Sequence, residues 1–493
     1  MDLWSLILTG DCKGVEKYID NGGSLYIENT EGLPPLYFAV MKKQWEVAKT
    51  LLRNGCDYME NYYQGKSPMC MVIVAGHIPM VEYLMNEGYS ILEVSSDKES
   101  ILHRACLEEK KDFLQWILKK KLVDIEVRSV LGDTPLLMTA HIGNIEIFKE
   151  LIKAKASPYI TNNNKDTIAL RACLSGKLPM VKYIFETYPD LFKLPNNNGD
   201  YPLSIAILGG NYDVVKYLLD KGVDANEKSA NGMTPLMSAA ISKDVQIFQL
   251  LLDRNADITT VSNAGDTAIL VAANHGSMHI ITTLDNMDPR LKYAYANNGQ
   301  GFIHSASVGN QLEALRWGIM KGLPVTVRNC NGDTPVLVAA YNGAIPIMEC
   351  LIKNGGSLNE RNDYQDTALT RAAYHGEVDT VKWLLENGSD LEEKNKYGDT
   401  ALILASYYGN LELVEFLVES GADLEVIREG GDTALLMAAD NMQLPVVMYL
   451  LSVGVPVEHK NSRNQDVFDI ARKKGFIEDL NAAIRNRTTK RVQ

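Results

Sequence analysis

One pattern recurs along this chain at a nearly fixed interval, and it limits the fold more than any other feature. Gly332-Asp333-Thr334-Pro335-Val336-Leu337, Gly398-Asp399-Thr400-Ala401-Leu402 and Gly431-Asp432-Thr433-Ala434-Leu435 are followed by Ala339-Ala340, Ala405 and Ala438-Ala439 respectively. Aligned on the Thr slot, the copies fall at 34, 67, 100, 134, 167, 201, 234, 267, 301, 334, 367, 400, 433 and 466. Successive slots lie 33 or 34 residues apart, and a half-matching unit at 2–21 precedes them. A period of this size marks a stack of small supersecondary units. It replaces the roughly three globular domains that the length alone would suggest.

Inside each unit the apolar spacing is helical. The unit at Thr400 predicts a first helix over 401–408, ended by Gly409-Asn410, and a second from 411 to 420, stopped by Gly421. Leu413, Val414, Phe416 and Leu417 make one apolar stripe, while Glu412, Glu415 and Glu419 take the opposite side. Thr supplies an N-cap oxygen, and Pro or Ala suits the first helical position, where a missing N–H costs nothing. About ten residues remain between units, too few for a third helix and enough for an extended finger.

This pattern resembles the ankyrin repeat: a Gly-x-Thr-Pro-Leu-His box, paired alanines, then a Leu-Leu and Gly-Ala-Asp ending. Val381-Lys382-Trp383-Leu384-Leu385 with Gly388-Ser389-Asp390 is similar, as is the stretch from Val214 to Asp224. The resemblance implies an all-α ankyrin-repeat solenoid of stacked antiparallel helix pairs with β-hairpin fingers. It covers about 15 repeats: one continuous array over 1–485, an N-terminal cap at about 1–30, a C-terminal cap at 464–485 and a basic tail at 486–493. The joint at 285–301 is irregular, reading as tolerated variation in a surface loop, with a hinge as the alternative. Thr fills eight of the fourteen slots; Ser67 and Ser100 substitute, and Pro34, Tyr201, Gly301 and Asp466 are expected to break the cap. The box histidine survives at His103 and His304.

Chemistry is harder to place. The balance of 49 Lys and Arg against 62 Asp and Glu, a net −13, argues against a nucleic-acid partner. Seven scattered Cys without a CxxC pair read as reduced thiols, hence a cytoplasmic location, with cytoskeletal or ciliary association as a variant. The acidic start shows no secretory signal, and the uncharged run 267–284 is broken by Asn274, His275, Gly276 and Ser277, so no membrane insertion is expected. There is no phosphate loop, HExxH or EF-hand pattern, and the His275/His279 pair lacks further ligands. Neither catalysis, a cofactor, a metal nor a small-molecule substrate is expected. The repeat uses nearly the whole chain.

The functional reading is a protein-binding scaffold or adaptor, with a structural component of a cytoskeletal or ciliary (microtubule-associated) assembly as the alternative. By the resemblance, ankyrin repeats bind through finger tips and the exposed end of the first helix. Those slots hold Tyr341, Tyr364, Tyr374, His375, Tyr397, Tyr407 and Tyr408, with Asp366, Asp399 and Asp432 beside them. Tyr offers a large contact area with a polar handle. Between 386 and 432 twelve acids face three bases, a net −9, which favours a partner with a basic segment. An Asp directly before the Thr slot recurs at eight positions, an acidic row that complements helix N-termini.

The tail carries Arg485, Arg487, Lys490 and Arg491. If it docks on an acidic surface, removing 485–493 will weaken attachment and flatten its salt dependence, because exposed charges are screened over about 8–10 Å. Unchanged attachment in a salt-titrated pull-down would contradict that docking.

Overall fold

The computed structural model describes residues 2–56, 67–92 and 94–490, with side chains through Arg485. It divides into two compact units, Met1–Ser238 with Gln249–Asn255, and Ala239–Phe248 with Ala256–Gln493. Among the described residues there are thirty α-helices, two 3-10 turns and no strand. Within each unit, successive first helices pack on one another and each first helix packs on its own second helix.

The repeat at Thr400 shows why. Thr400 accepts from the Ile403 N–H, starting helix Ala401–Tyr408, and Gly409 ends it at φ +79°. Asn410 caps the second helix, Leu411–Glu419, by accepting from Leu413. Leu413, Val414 and Leu417 are wholly buried, each contributing about 1.5–3 kcal/mol, while Phe416 lies at the edge of the stripe. Ser67 and Ser100 cap their helices as well. Pro34, Tyr201 and Gly301 make no side-chain cap. Asp466 departs from expectation: its carboxylate accepts from Asp469 in a capping box, since Asp is as good an N-cap as Thr. His103 and His304 each bridge to the next finger, through the backbone oxygens of Asp133 and Asp333.

The fingers are tight turns whose arms form no strand among the described residues. In the finger before Thr367, Asn362 N–H donates to Asp366 O and Gln365 N–H to Asn362 O. Adjacent tips are joined by a backbone bond: Asp363 N–H to Asn331 O (3.0 Å), Lys396 N–H to Tyr364 O (2.9 Å) and Glu429 N–H to Tyr397 O (2.7 Å). The Gly of the repeated box takes a left-handed φ there, +76° at Gly398.

In several fingers an asparagine five residues before the Thr slot completes the turn. Asn362 Oδ1 accepts from the Tyr364 and Asp366 N–H groups, both at 2.9 Å. Its Nδ2 donates backward to Asp333 (2.8 Å) and forward to Asp366 (3.2 Å). Asn162 repeats this in the first unit between Asp133 and Asp166, and Asn395 between Asp366 and Asp399. The Asp row is therefore an internal ladder; Asp133, Asp333, Asp399 and Asp432 are buried.

The irregular joint is filled by a turn. Helix Met278–Met287 is followed by the 3-10 turn Leu291–Tyr293, as Pro189–Lys193 follows helix Leu178–Thr187. Leu191, Phe192 and Leu291 are buried, and the buried Asp285 binds Lys292 (2.7 Å) and Lys321 (2.8 Å). Burial alone would raise the Asp285 pKa, but the two lysine hydrogen bonds outweigh it and lower the pKa. Its contribution is present above the ordinary Asp pKa and lost as pH falls through the lowered folded value. Asp285→Asn leaves Lys292 buried without a counter-charge, a cost of about 3 kcal/mol. Amide exchange is expected to accelerate across 278–323 and not across 334–440; equal acceleration in both would contradict this role for the pair.

Candidate functional site

Three successive repeats, at Thr367, Thr400 and Thr433, build a cavity of about 450 Å³ between their fingers and first helices. Leu404, Ile403 and Met437 form an apolar floor, and Tyr364, Tyr374, Tyr397, Tyr407 and Tyr408 surround it. Tyr364 and Tyr397 come from finger tips, whereas Tyr374, Tyr407 and Tyr408 end first helices. The next finger carries Gly430 in the slot that holds Tyr364 and Tyr397 in its neighbours, so the row of tip rings stops there.

The rings contact one another across repeats. Ring centroids lie 4.6 Å apart for Tyr374 and Tyr408, 4.7 Å for Tyr407 and Tyr408, and 6.0 Å for Tyr341 and Tyr374. All five tyrosines of the wall remain exposed. Partial burial, then hydrogen bonding and charge from Tyr374, pushes the Tyr408 phenol above its ordinary range.

Of the ten residues singled out from sequence, Tyr364, Asp366, Tyr374, Tyr397, Asp399, Tyr407 and Tyr408 line this one cavity. Tyr341 and His375 adjoin it, stacked at 4.4 Å, with His375 Nδ1 3.1 Å from Glu377. Asp432 is not in the lining; it is buried and accepts from Asn461 at 2.7 Å. Asp399 is also buried, held by Arg428 at 2.5 Å, so neither presents a free carboxylate.

Sequence reasoning missed Arg371, Asn395, Ile403, Leu404, Arg428 and Met437, which complete the lining. Two registers could have found all of them but Ile403. Arg371, Leu404 and Met437 lie four residues after a Thr slot, and Asn395 and Arg428 lie five before one. Arg428 stands where the adjacent fingers carry Asn395 and Asn461, and its guanidinium reaches back to Asp399 as Asn461 reaches back to Asp432. Arg371 pairs with Asp333 at 3.7 Å and lies 4.6 Å from the centroid of the Tyr341 ring. Among the described residues no three or more His, Cys, Asp or Glu cluster as a metal site would require. Among the described residues no helix is long and apolar enough to cross a membrane.

Capped helix pairs joined by laddered fingers define a helical-repeat protein of the kind that binds other proteins. The chain belongs to the ankyrin-repeat family: the model of ankyrin repeats (3 copies) matches 3–95, 36–129, 102–193, 189–262, 302–395 and 387–461. A putative ankyrin repeat protein of Fowlpox virus (strain NVSL) is 27% identical over 196 residues, covering 39% of this chain and 31% of that protein. The ankyrin repeat and KH domain-containing protein mask-1 of Caenorhabditis elegans is 28% identical over 226 residues, 39% of this chain and 8% of its own length. The chain thus spans less than a third of either relative. The human ASB11 ankyrin repeat domain has a TM-score of 0.40 at 21% identity, covering 45% of this chain and 98% of that one. Ankyrin repeats are generally protein–protein interaction modules, and these matches bring no catalytic domain to this chain.

Proposed function

We propose that this chain is a non-enzymatic binding scaffold, an adaptor that takes a partner protein on the concave, finger-bearing face of its C-terminal repeats. The observation that supports this most is the tyrosine wall: five exposed rings from two successive repeats converge on one cavity with an apolar floor. Aromatic anchors around an apolar pocket are the usual carriers of interface affinity. The partner segment is basic, because the surrounding stretch 386–432 carries a net −9 and would steer positive charge toward the groove.

The test is to replace Tyr374, Tyr407 and Tyr408 together by Ala in the full chain. A captured partner should bind weaker by at least about 2 kcal/mol, with little change in Tm. The rings also touch each other, so packing is the competing role. A sharp fall in Tm with unchanged affinity per folded molecule would contradict the proposal and assign them to packing.

A further inference from the structure

The ladder carboxylates are not all neutralised alike. Asp133 pairs with Arg171 at 3.2 Å and Asp333 with Arg371 at 3.7 Å; each arginine lies four residues after the following Thr slot. Asp399 pairs with Arg428. Asp366 receives only neutral amides, from Asn362 and Asn395, and among the described residues no Lys, Arg or His reaches it. The slot that would supply its arginine holds Leu404.

The preceding repeat shows what is missing. There Asp333, the Arg371 guanidinium and the Tyr341 ring form one layer, with the cation 4.6 Å from the ring centroid. One repeat on, the equivalents are Asp366, Leu404 and Tyr374, and all three line the cavity. An ionised carboxylate can accept about four hydrogen bonds, and the amides use two. The tyrosine faces here already hold cations: Lys396 Nζ lies 3.9 Å from the centroid of Tyr364 and 5.0 Å from that of Tyr397. Arg371 and Arg428 also line the space but are engaged by Asp333 and Asp399.

We infer that this cavity receives one arginine side chain of the partner, which pairs with Asp366 and stacks on Tyr374 and thereby supplies in trans the cation that Arg371 supplies in cis one repeat earlier. Arginine fits better than lysine because its planar guanidinium both stacks on a ring and bridges a carboxylate. The feature is local: Asp166 likewise receives only side-chain amides, from Asn162, Asn164 and Asn196, but Leu174 occupies the slot of Tyr374 and offers no aromatic face. This inference rests on the tyrosine-lined groove being the partner site.

The experiment measures binding of a capped glycine–serine peptide with spaced arginines to the full chain. Matched peptides carry citrulline, which keeps shape without charge, or lysine. The arginine peptide is expected to bind at least about tenfold tighter than the citrulline peptide and measurably tighter than the lysine one. Leu404→Arg fills the place in cis and should abolish that preference while Tm holds. Asp366→Asn, which keeps the side chain's shape, should reduce it about tenfold. Equal binding of arginine and citrulline peptides, or a preference that survives Leu404→Arg in a folded chain, overturns the inference. If a captured partner is lost on replacing the three tyrosines yet unaffected by Leu404→Arg and Asp366→Asn, the groove stands and the arginine fails. If none of these changes matters, both fail.

Discussion

Several finger turns depend on one side-chain arrangement: an asparagine that closes its own loop and, at Asn162, Asn362 and Asn395, reaches back to the carboxylate of the loop before. Asn362 accepts two backbone N–H groups and donates to Asp333 and Asp366, so one buried side chain serves two repeats. Buried polar groups cost little only when fully paired, and the ladder pairs them by passing one amide per repeat. The tip-to-tip backbone bonds run beside it. Repeat stacks gain stability from such nearest-neighbour terms, because each unit touches only the next.

The candidate site lies where neighbouring repeats differ from one another. Arg428 stands where Asn395 and Asn461 stand in the adjacent fingers, Gly430 where Tyr364 and Tyr397 stand, and Leu404 where Arg371 stands one repeat earlier. Tyr374, Tyr407 and Tyr408 are held by mutual ring contacts rather than by burial, and all three stay exposed. A cavity on a rigid, laddered frame pre-organises its contacts and lowers the entropic cost of taking a partner.

The repeat period, the caps and the helix limits at Thr400 were legible because they follow from local chemistry: Thr before Pro or Ala, an apolar stripe, Gly at the end. Asp466 was misread because its capping oxygen differs in kind, not in function, from that of Thr. The tyrosines were found because they recur in register at exposed slots. Asp399 and Asp432 read as surface acids, because a charge gives no sign in sequence of a partner 29 residues further on, the Arg428 guanidinium for Asp399 and the Asn461 amide for Asp432. Arg371 and Leu404 escaped for the same reason, since their meaning lies in the contrast between adjacent repeats. The joint at 285–301 reads as a loop, yet Asp285 and Lys292, seven residues apart, close it in the interior. The side chains of the basic tail, 486–493, lie outside the described residues, although helix Ile477–Lys490 continues into it.

The central claim is that Asp333 is a neutralised structural carboxylate and Asp366 is one left without its cation. Amide exchange on Asp333→Asn and Asp366→Asn tests it directly. Asp333→Asn strands the Arg371 guanidinium, only 22% exposed, and should speed exchange across 334–375 by about tenfold or more. Asp366→Asn strands no cation and should leave exchange over 367–408 much closer to that of the unaltered chain. Equal loss of protection in the two variants, or a larger loss in Asp366→Asn, would contradict the claim.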